Sequence, residues 1–105
     1  MKLITKAIED HTPPLYAFEA EKPEHIPVTA KLFDPMGRFT FYMTEYDPED
    51  RRAFGWVVSP LGPDCDELGY VSIAELEELS GAHWIERDMY FTESMTLATA
   101  MTASQ

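Results

Sequence analysis

Residues 67–81 read ELGYVSIAELEELSG, a run that predicts a short strand passing directly into a helix. Ser72 and Glu75 have the spacing of a capping box, in which each side chain bonds a backbone N–H left free at the start of a helix. Apolar residues recur on one helical face, and Gly81 suits the left-handed conformation in which many helices end. We therefore predict a capped helix over 72–80.

The chain before this helix alternates in polarity as antiparallel strands do. Turn-forming residues interrupt the alternation at 34–37, which reads DPMG, and at 47–50, which reads DPED. The predicted strands cover 28–33, 38–46, 53–59, 67–71 and 83–87. In the second strand, strict alternation places Phe39, Phe41 and Met43 on one face and Thr40, Tyr42, Thr44 and Tyr46 on the other.

Both ends of the chain carry weaker helix signals. Thr5 can cap a short helix over Lys6–His11, which Pro13 and Pro14 would end. The segment 92–105 has threonines at near-helical spacing, and threonine is a mediocre helix former, so we expect a marginal helix or a frayed tail. The predicted class is α+β: a single domain over 1–91, with an antiparallel meander of about four to five strands and the capped helix packed on it.

The charge of the protein is strongly negative and unevenly spread. The 105 residues include 19 acids and 8 Lys or Arg, for a net charge of −11, and the segment Glu45–Glu78 holds ten acids against Arg51 and Arg52. Direct binding to nucleic acid or to an anionic membrane needs a basic surface, so we expect neither. The sequence has no apolar stretch long enough for a signal or a membrane span, and we expect a cytoplasmic protein.

Catalytic signals are weak throughout the sequence. Cys65 lies between Asp64 and Asp66, and neighbouring anions suppress the reactive thiolate. The three histidines have no metal-ligand spacing, and the isolated glycines form no phosphate-binding loop. We therefore predict no catalytic residue, no metal and no cofactor, and a chain that is not an enzyme.

Several blocks together resemble a small bacterial domain-of-unknown-function family carried on plasmids, integrative conjugative elements and phages. The resemblance covers about residues 1–91 and is most specific in ELGY at 67–70 and in ERDMYF at 86–91. The family implies no activity and no functional residues. It does imply a mobile genetic element as the setting, where small acidic proteins often act against host defence.

The leading hypothesis is a non-enzymatic, anti-defence interaction protein, such as an anti-CRISPR or antirestriction protein, whose acidic surface mimics DNA. Its partner would be a protein, in particular a basic nucleic-acid-binding defence protein. The predicted contacts are Glu45, Asp47, Glu49, Asp50, Asp64, Asp66, Glu67, Glu75 and Glu78.

Two alternatives remain open. A structural or regulatory module would bind its partner through an aromatic sheet face formed by Tyr42, Tyr46, Trp56 and Tyr70. A small hydrolase-type enzyme would need a cleft that joins an acid to His83 or Arg87.

Overall fold

A five-stranded antiparallel sheet forms the centre of the protein, in a computed structural model that describes residues 2–92 and 94–103. Across the sheet the strands run in the order β4-β3-β2-β1-β5. Their bounds are Ala30–Phe33 for β1, Thr40–Asp47 for β2, Arg52–Val58 for β3, Glu67–Ser72 for β4 and Glu86–Arg87 for β5. With helices packed on the sheet, the predicted α+β class is confirmed.

Three short α-helices flank the sheet within the described residues: α1 over Lys6–His11, α2 over Ile73–Glu78 and α3 over Leu97–Ala103. Short 3₁₀ turns lie in the loops, at Pro23–His25 and Pro63–Cys65. Both predicted caps form, because Thr5 Oγ1 accepts the N–H of Ile8 and Ser72 Oγ accepts the N–H of Glu75, each at 3.2 Å. Helix α2 ends two residues earlier than predicted, and Gly81, with φ +88°, lies in the loop beyond it.

Each face of the sheet is covered by its own hydrophobic cluster. On the first face the N-terminal segment and α2 pack against the sheet, and the buried residues include Leu3, Ile4, Phe41, Met43 and Ile73. On the second face the segment 12–26, called the arm below, packs together with α3, and the buried residues include Val28, Tyr42, Trp56, Leu97 and Ala100. The sheet is therefore the middle of three layers.

The C-terminal helix belongs to this domain rather than to a separate tail. The Val28 N–H donates to the Met95 carbonyl at 3.0 Å, and the Leu97 N–H donates to the Ile26 carbonyl at 2.8 Å. Leu97 and Ala100 are almost fully buried. The predicted domain ends at residue 91, whereas in the structure α3 also packs on the sheet and completes its second face. Of the predicted tail, Glu93, Ser104 and Gln105 lie outside the described residues.

A β-bulge in β2 breaks the predicted alternation of its side chains. Met43 pairs with Gly55 and Glu45 pairs with Phe54, so Thr44 is an extra residue between them. After the bulge the faces exchange, and Tyr46 joins the first-face cluster of Phe41 and Met43. The prediction of Tyr46 on the opposite face was wrong for this reason.

The bulge also explains the glycine on the neighbouring strand. A Cβ at position 55 would lie 1.9 Å from the carbonyl oxygen of Tyr42 and 3.1 Å from the Cα of Met43. Only glycine fits this close approach of two backbones without displacing one of them.

Candidate functional site

The second face is open beside β4, where the arm and the sheet enclose a cleft of about 320 Å³. Aromatic and aliphatic side chains form most of its wall: Tyr16, Phe18, Phe54, Leu68, Tyr70 and Leu97. Three carboxylates also line it: Glu19, Glu21 and Glu45. An apolar cleft with a few polar groups is the usual form of a binding site, so this cleft is the first candidate.

Glu45 anchors the arm above the cleft. It is 4% exposed, and its carboxylate accepts the backbone N–H of Tyr16 at 2.7 Å and that of Phe18 at 3.1 Å. Tyr16 has φ +71°, a left-handed conformation that is unusual for a bulky residue, and the bond to Glu45 helps to hold it there. The prediction of Glu45 as a surface contact is corrected, since its carboxylate is occupied inside the protein.

The rim of the cleft carries the exposed aromatic surface. Tyr70 is 46% exposed, and its ring lies 4.9 Å from that of Phe54 and 6.4 Å from that of Tyr16. The guanidinium carbon of Arg52 lies 4.9 Å from the centre of the Tyr70 ring, within cation–π range. A hydrogen bond with the Tyr16 hydroxyl and partial burial raise the pKa of Tyr70.

The predicted aromatic patch is otherwise inside the protein. Tyr42 is 8% exposed, Tyr46 4% and Trp56 9%. Tyr42 and Trp56 pack under α3 on the second face, while the bulge sends Tyr46 to the first. Of the four predicted residues only Tyr70 is available to a partner. The other three were predicted to lie on the surface of the sheet, but they belong to the core.

The predicted acidic contacts divide into groups at the two ends of β4. The pairing of Arg52 with Ser72 places the turn with Asp47, Glu49 and Asp50 at the same end as Glu75 and Glu78 of α2. Asp64 and Glu67 lie at the other end, about 17 Å away for a strand of this length. Exposure is high for six of them: Glu49, Asp50, Asp64, Glu67, Glu75 and Glu78. The acids therefore lie at the two ends of β4 and do not form one continuous row.

Asp66 is withdrawn from that acidic set by Arg38. The guanidinium binds both carboxylate oxygens, at 2.7 and 2.8 Å, and the Asp66 side chain is only 5% exposed. Asp66 also accepts the N–H of Ser59 at 2.8 Å. The Arg38 hydrogen bonds hold the pKa of Asp66 below its usual value although burial opposes this. Asp66 was predicted to contact a partner. Its carboxylate instead binds Arg38 and Ser59 and holds the loop before β4 in place.

A second cleft, of about 440 Å³, opens on the first face between the β1–β2 turn and the end of α2. Asp34 and His83 meet there, with Nδ1 of the ring 2.6 Å from Oδ2 of the carboxylate. Burial tends to raise the pKa of Asp34, but the Met36 N–H and the His83 ring hold it below its usual value. The sequence pointed to His83 without Asp34, because the two are far apart in the chain.

Other predicted features have plain structural roles. Cys65 is an exposed free thiol. Arg87, named above only for the enzyme alternative, donates to the carbonyls of Lys2 and Leu3, while Lys31 pairs with Asp88 at 3.6 Å. Across residues 2–92 and 94–103, no three acidic, histidine or cysteine side chains are grouped to hold a metal ion. No helix in that part of the chain is long and apolar enough to cross a membrane.

Two features of the first cleft were not predicted. Glu19 and Glu21 reach it because the arm folds over the second face beside β4, and nothing local in the sequence indicates that path. Leu68 was assigned to a strand but not to the cleft, although its alternation with Tyr70 around Gly69 places both on one face.

Comparison with known proteins identifies the family. The family described as "Protein of unknown function (DUF2958)" matches residues 3–105, and the chain belongs to it. The expected membership of a domain-of-unknown-function family is confirmed, and the match extends through α3, beyond the residues that carried the resemblance. No curated protein and no solved structure matches the chain.

Proposed function

We propose that this DUF2958 protein is a non-enzymatic interaction protein that binds a basic protein through the cleft beside β4 and the carboxylates around it. The observation that carries the proposal is the combination of exposed apolar and acidic groups in one place. Tyr16, Leu68 and Tyr70 are each more than two-fifths exposed at the cleft, and acids stand on its arm side and at both ends of β4.

The composition of this surface matches that of a protein interface. Interfaces have an apolar centre, with aromatic residues enriched, and a polar rim. Here Leu68 and Tyr70 form the centre and the carboxylates form the rim. A rim of one sign steers a partner of the opposite sign and disfavours other partners.

A basic nucleic-acid-binding defence protein is the partner that we propose, in the setting of a mobile genetic element. Such a protein presents a groove of Lys and Arg that normally holds phosphates, and acids that enter it replace the phosphates. This is the anti-CRISPR or antirestriction hypothesis in a modified form. Pure DNA mimicry needs charge alone, whereas this surface adds an apolar contact at its centre.

Affinity capture from a host lysate, followed by mass spectrometry, tests the proposal. The wild-type protein should capture a basic protein, and capture should weaken steeply as salt rises from about 50 to about 500 mM. A variant with D64N and E67Q should lose most of the capture. A matched control with E9Q and D10N on α1, away from the cleft, should keep it. Equal capture by both variants would sink the proposal.

The second cleft supports one alternative, a small hydrolase-type enzyme. Asp34 holds Nδ1 of His83 at 2.6 Å, which leaves Nε2 as the free nitrogen of an exposed ring, the arrangement of a general base. Turnover of activated carboxylate and phosphate esters by the wild type, abolished in H83N and kept in H11N, would establish this function. No turnover of either class by the wild type would remove it.

A further inference from the structure

Strand β4 leaves one of its edges without a strand. Within residues 2–92 and 94–103 its one strand neighbour is β3, and residues 67–70 are exposed or half-buried. Natural edge strands are usually protected by a lysine, a proline, a bulge or a covering element. From Leu68 to Ser72, β4 has none of these residues, and its pairing with β3 runs without a register shift.

One hydrogen bond fixes which backbone groups of β4 face outward. The N–H of Ile73 donates to the carbonyl of Arg51 at 2.9 Å, and Ser72 pairs with Arg52. Ser72 and Arg52 are therefore a pair without mutual hydrogen bonds, and bonded and non-bonded pairs alternate along an antiparallel ladder. It follows that Gly69 and Val71 bond β3, whereas Leu68 and Tyr70 point their N–H and C=O groups away from the sheet.

The same two residues point their side chains at the cleft. Leu68 and Tyr70 are 42% and 46% exposed and line its wall. Between them Gly69 has no side chain, and the nearest atom to a Cβ placed there would be a Val57 methyl at 4.0 Å. A strand added beside β4 would thus place two alternate side chains over the cleft and the side chain between them in open space over Gly69.

Charge decides what kind of strand could be added. A second copy of this chain would bring another net charge of −11 and its own carboxylates against Glu67 and the acids of α2. Like charges across paired strands are destabilising, whereas opposite charges stabilise them. The complement of this edge is therefore an extended basic segment.

We propose that β4 binds its partner by strand addition. The partner contributes an extended segment whose backbone bonds the outward groups of Leu68 and Tyr70. Apolar side chains at two alternate positions of that segment enter the cleft, and Lys or Arg at the positions between and beside them face Glu67 and the acids of α2. This inference rests on the proposed function and names its contact mode, which is one of the recurring modes of peptide recognition.

Hydrogen exchange on the wild-type protein gives the first test. The probe is a blocked peptide of seven residues in which lysine and valine alternate, and the control peptide replaces lysine by glutamate. At saturation the lysine peptide should slow exchange of the Leu68 and Tyr70 amides by about tenfold or more, because both become bonded. The amides of Gly69 and Val71, already bonded to β3, should change little. An unchanged rate at Leu68 and Tyr70 would overturn strand addition.

A proline substitution gives the second test. Proline has no N–H, and the N–H of Leu68 points away from β3, so L68P should remove the bond to the peptide and keep the ladder with β3. We expect L68P to weaken peptide binding by about tenfold and L68A, which keeps the N–H, to weaken it less. Equal binding by L68P and L68A would overturn the inference. If L68P does not fold, the exchange experiment decides alone.

These outcomes separate the inference from the proposed function. Salt-dependent capture of a basic protein that survives L68P would disprove strand addition and leave the acidic interaction protein standing. Loss of capture in the variant with D64N and E67Q, but not in L68P, would likewise disprove strand addition and support the acidic interaction protein.

Discussion

The two edges of the sheet differ in how they end. At one edge β5 has only two residues, and Arg87 ties it to the N-terminal segment through the carbonyls of Lys2 and Leu3. At the other edge β4 has six residues, and its outer backbone groups carry no further strand within the described chain. The first edge is short and is linked to the N-terminal segment through the Arg87 side chain, whereas the second is three times as long and has acidic residues at both ends. The difference indicates that the β4 edge, and not the β5 edge, is available for contacts.

The largest effect on stability should come from the buried cluster on the first face of the sheet. L32A on β1 removes a fully buried side chain from the first-face cluster, and we expect it to lower the free energy of unfolding by about 3 kcal/mol. Urea unfolding measures this. L61A, at a site that is 84% exposed, is the control and should change little. Similar losses in the two variants would mean that Leu32 is not part of the core.

Release of the arm should have a smaller effect on stability, confined to the arm and the cleft that it lines. E45A leaves the N–H groups of Tyr16 and Phe18 without their acceptor, which should cost about 2 kcal/mol. E45Q keeps one acceptor oxygen and should cost less. Hydrogen exchange should accelerate at Tyr16 and Phe18 in E45A, while the amides of β1 stay protected. Uniform acceleration over the whole sheet would show that the arm is not a local unit.

Acid should destabilise the protein through three carboxylates. Glu77 of α2 pairs with Arg51 at 2.8 Å and accepts the N–H of Leu3. The pKa values of Asp34, Asp66 and Glu77 all lie below their usual values in the folded protein, because hydrogen bonds and cations favour the charged forms. Their contribution is therefore present above the unfolded-state pKa values, near 4, and is lost as the pH falls through the lower folded values. Urea midpoints measured from about pH 7 to about pH 2 should fall on the acid side.

A variant of Asp66 tests how much of this acid response comes from the loop before β4. D66N cannot form the charged pair with Arg38, so its urea midpoint should depend less on pH over the acid range than that of the wild type. The control is D64N, at an exposed neighbour of Asp66, and it should keep the pH dependence of the wild type. An identical pH dependence in D66N and the wild type would remove Asp66 from the acid response.

The smallest effect should come from the side chain of the open edge itself. L68T keeps a residue that favours strands and removes an apolar group that is already 42% exposed, so we expect a loss of stability of about 0.5 kcal/mol or less. Urea unfolding measures the stability. A loss as large as that of L32A would mean that β4 is part of the core and not an open edge.

The fold was largely predictable because its signals are local. Ser72 and Thr5 cap their helices through atoms three residues away, and turn residues mark the ends of the strands. The order of the five strands and the packing of α3 required contacts between distant segments. Composition indicated no more than a marginal helix at 97–103, since its burial against Ile26 and Val28 is a tertiary effect.

The candidate site was much less predictable. Glu45 and Asp66 look like surface acids in the sequence, but the arm and Arg38 occupy their carboxylates. Tyr42 and Trp56 lie on the face that was expected to be open, and α3 covers it. Of the exposed groups, Glu67 was predicted from the acidic segment and Tyr70 from the aromatic residues of the predicted strands. Asp34 and His83, 49 positions apart, could be joined only by the fold.

The extra residue in β2 decides which side chains reach the arm. Deleting Thr44 would remove the bulge and leave Glu45 and Tyr46 on the faces that they now occupy, because Glu45 would then follow Met43 in regular alternation. If Thr44 instead paired regularly with β3, the phase would shift from there to the turn, so that the carboxylate of Glu45 would turn toward Phe41 and Met43 and the ring of Tyr46 toward the arm. One unpaired residue thus determines whether an acid or an aromatic ring lies in the core, with no change in the composition of the strand.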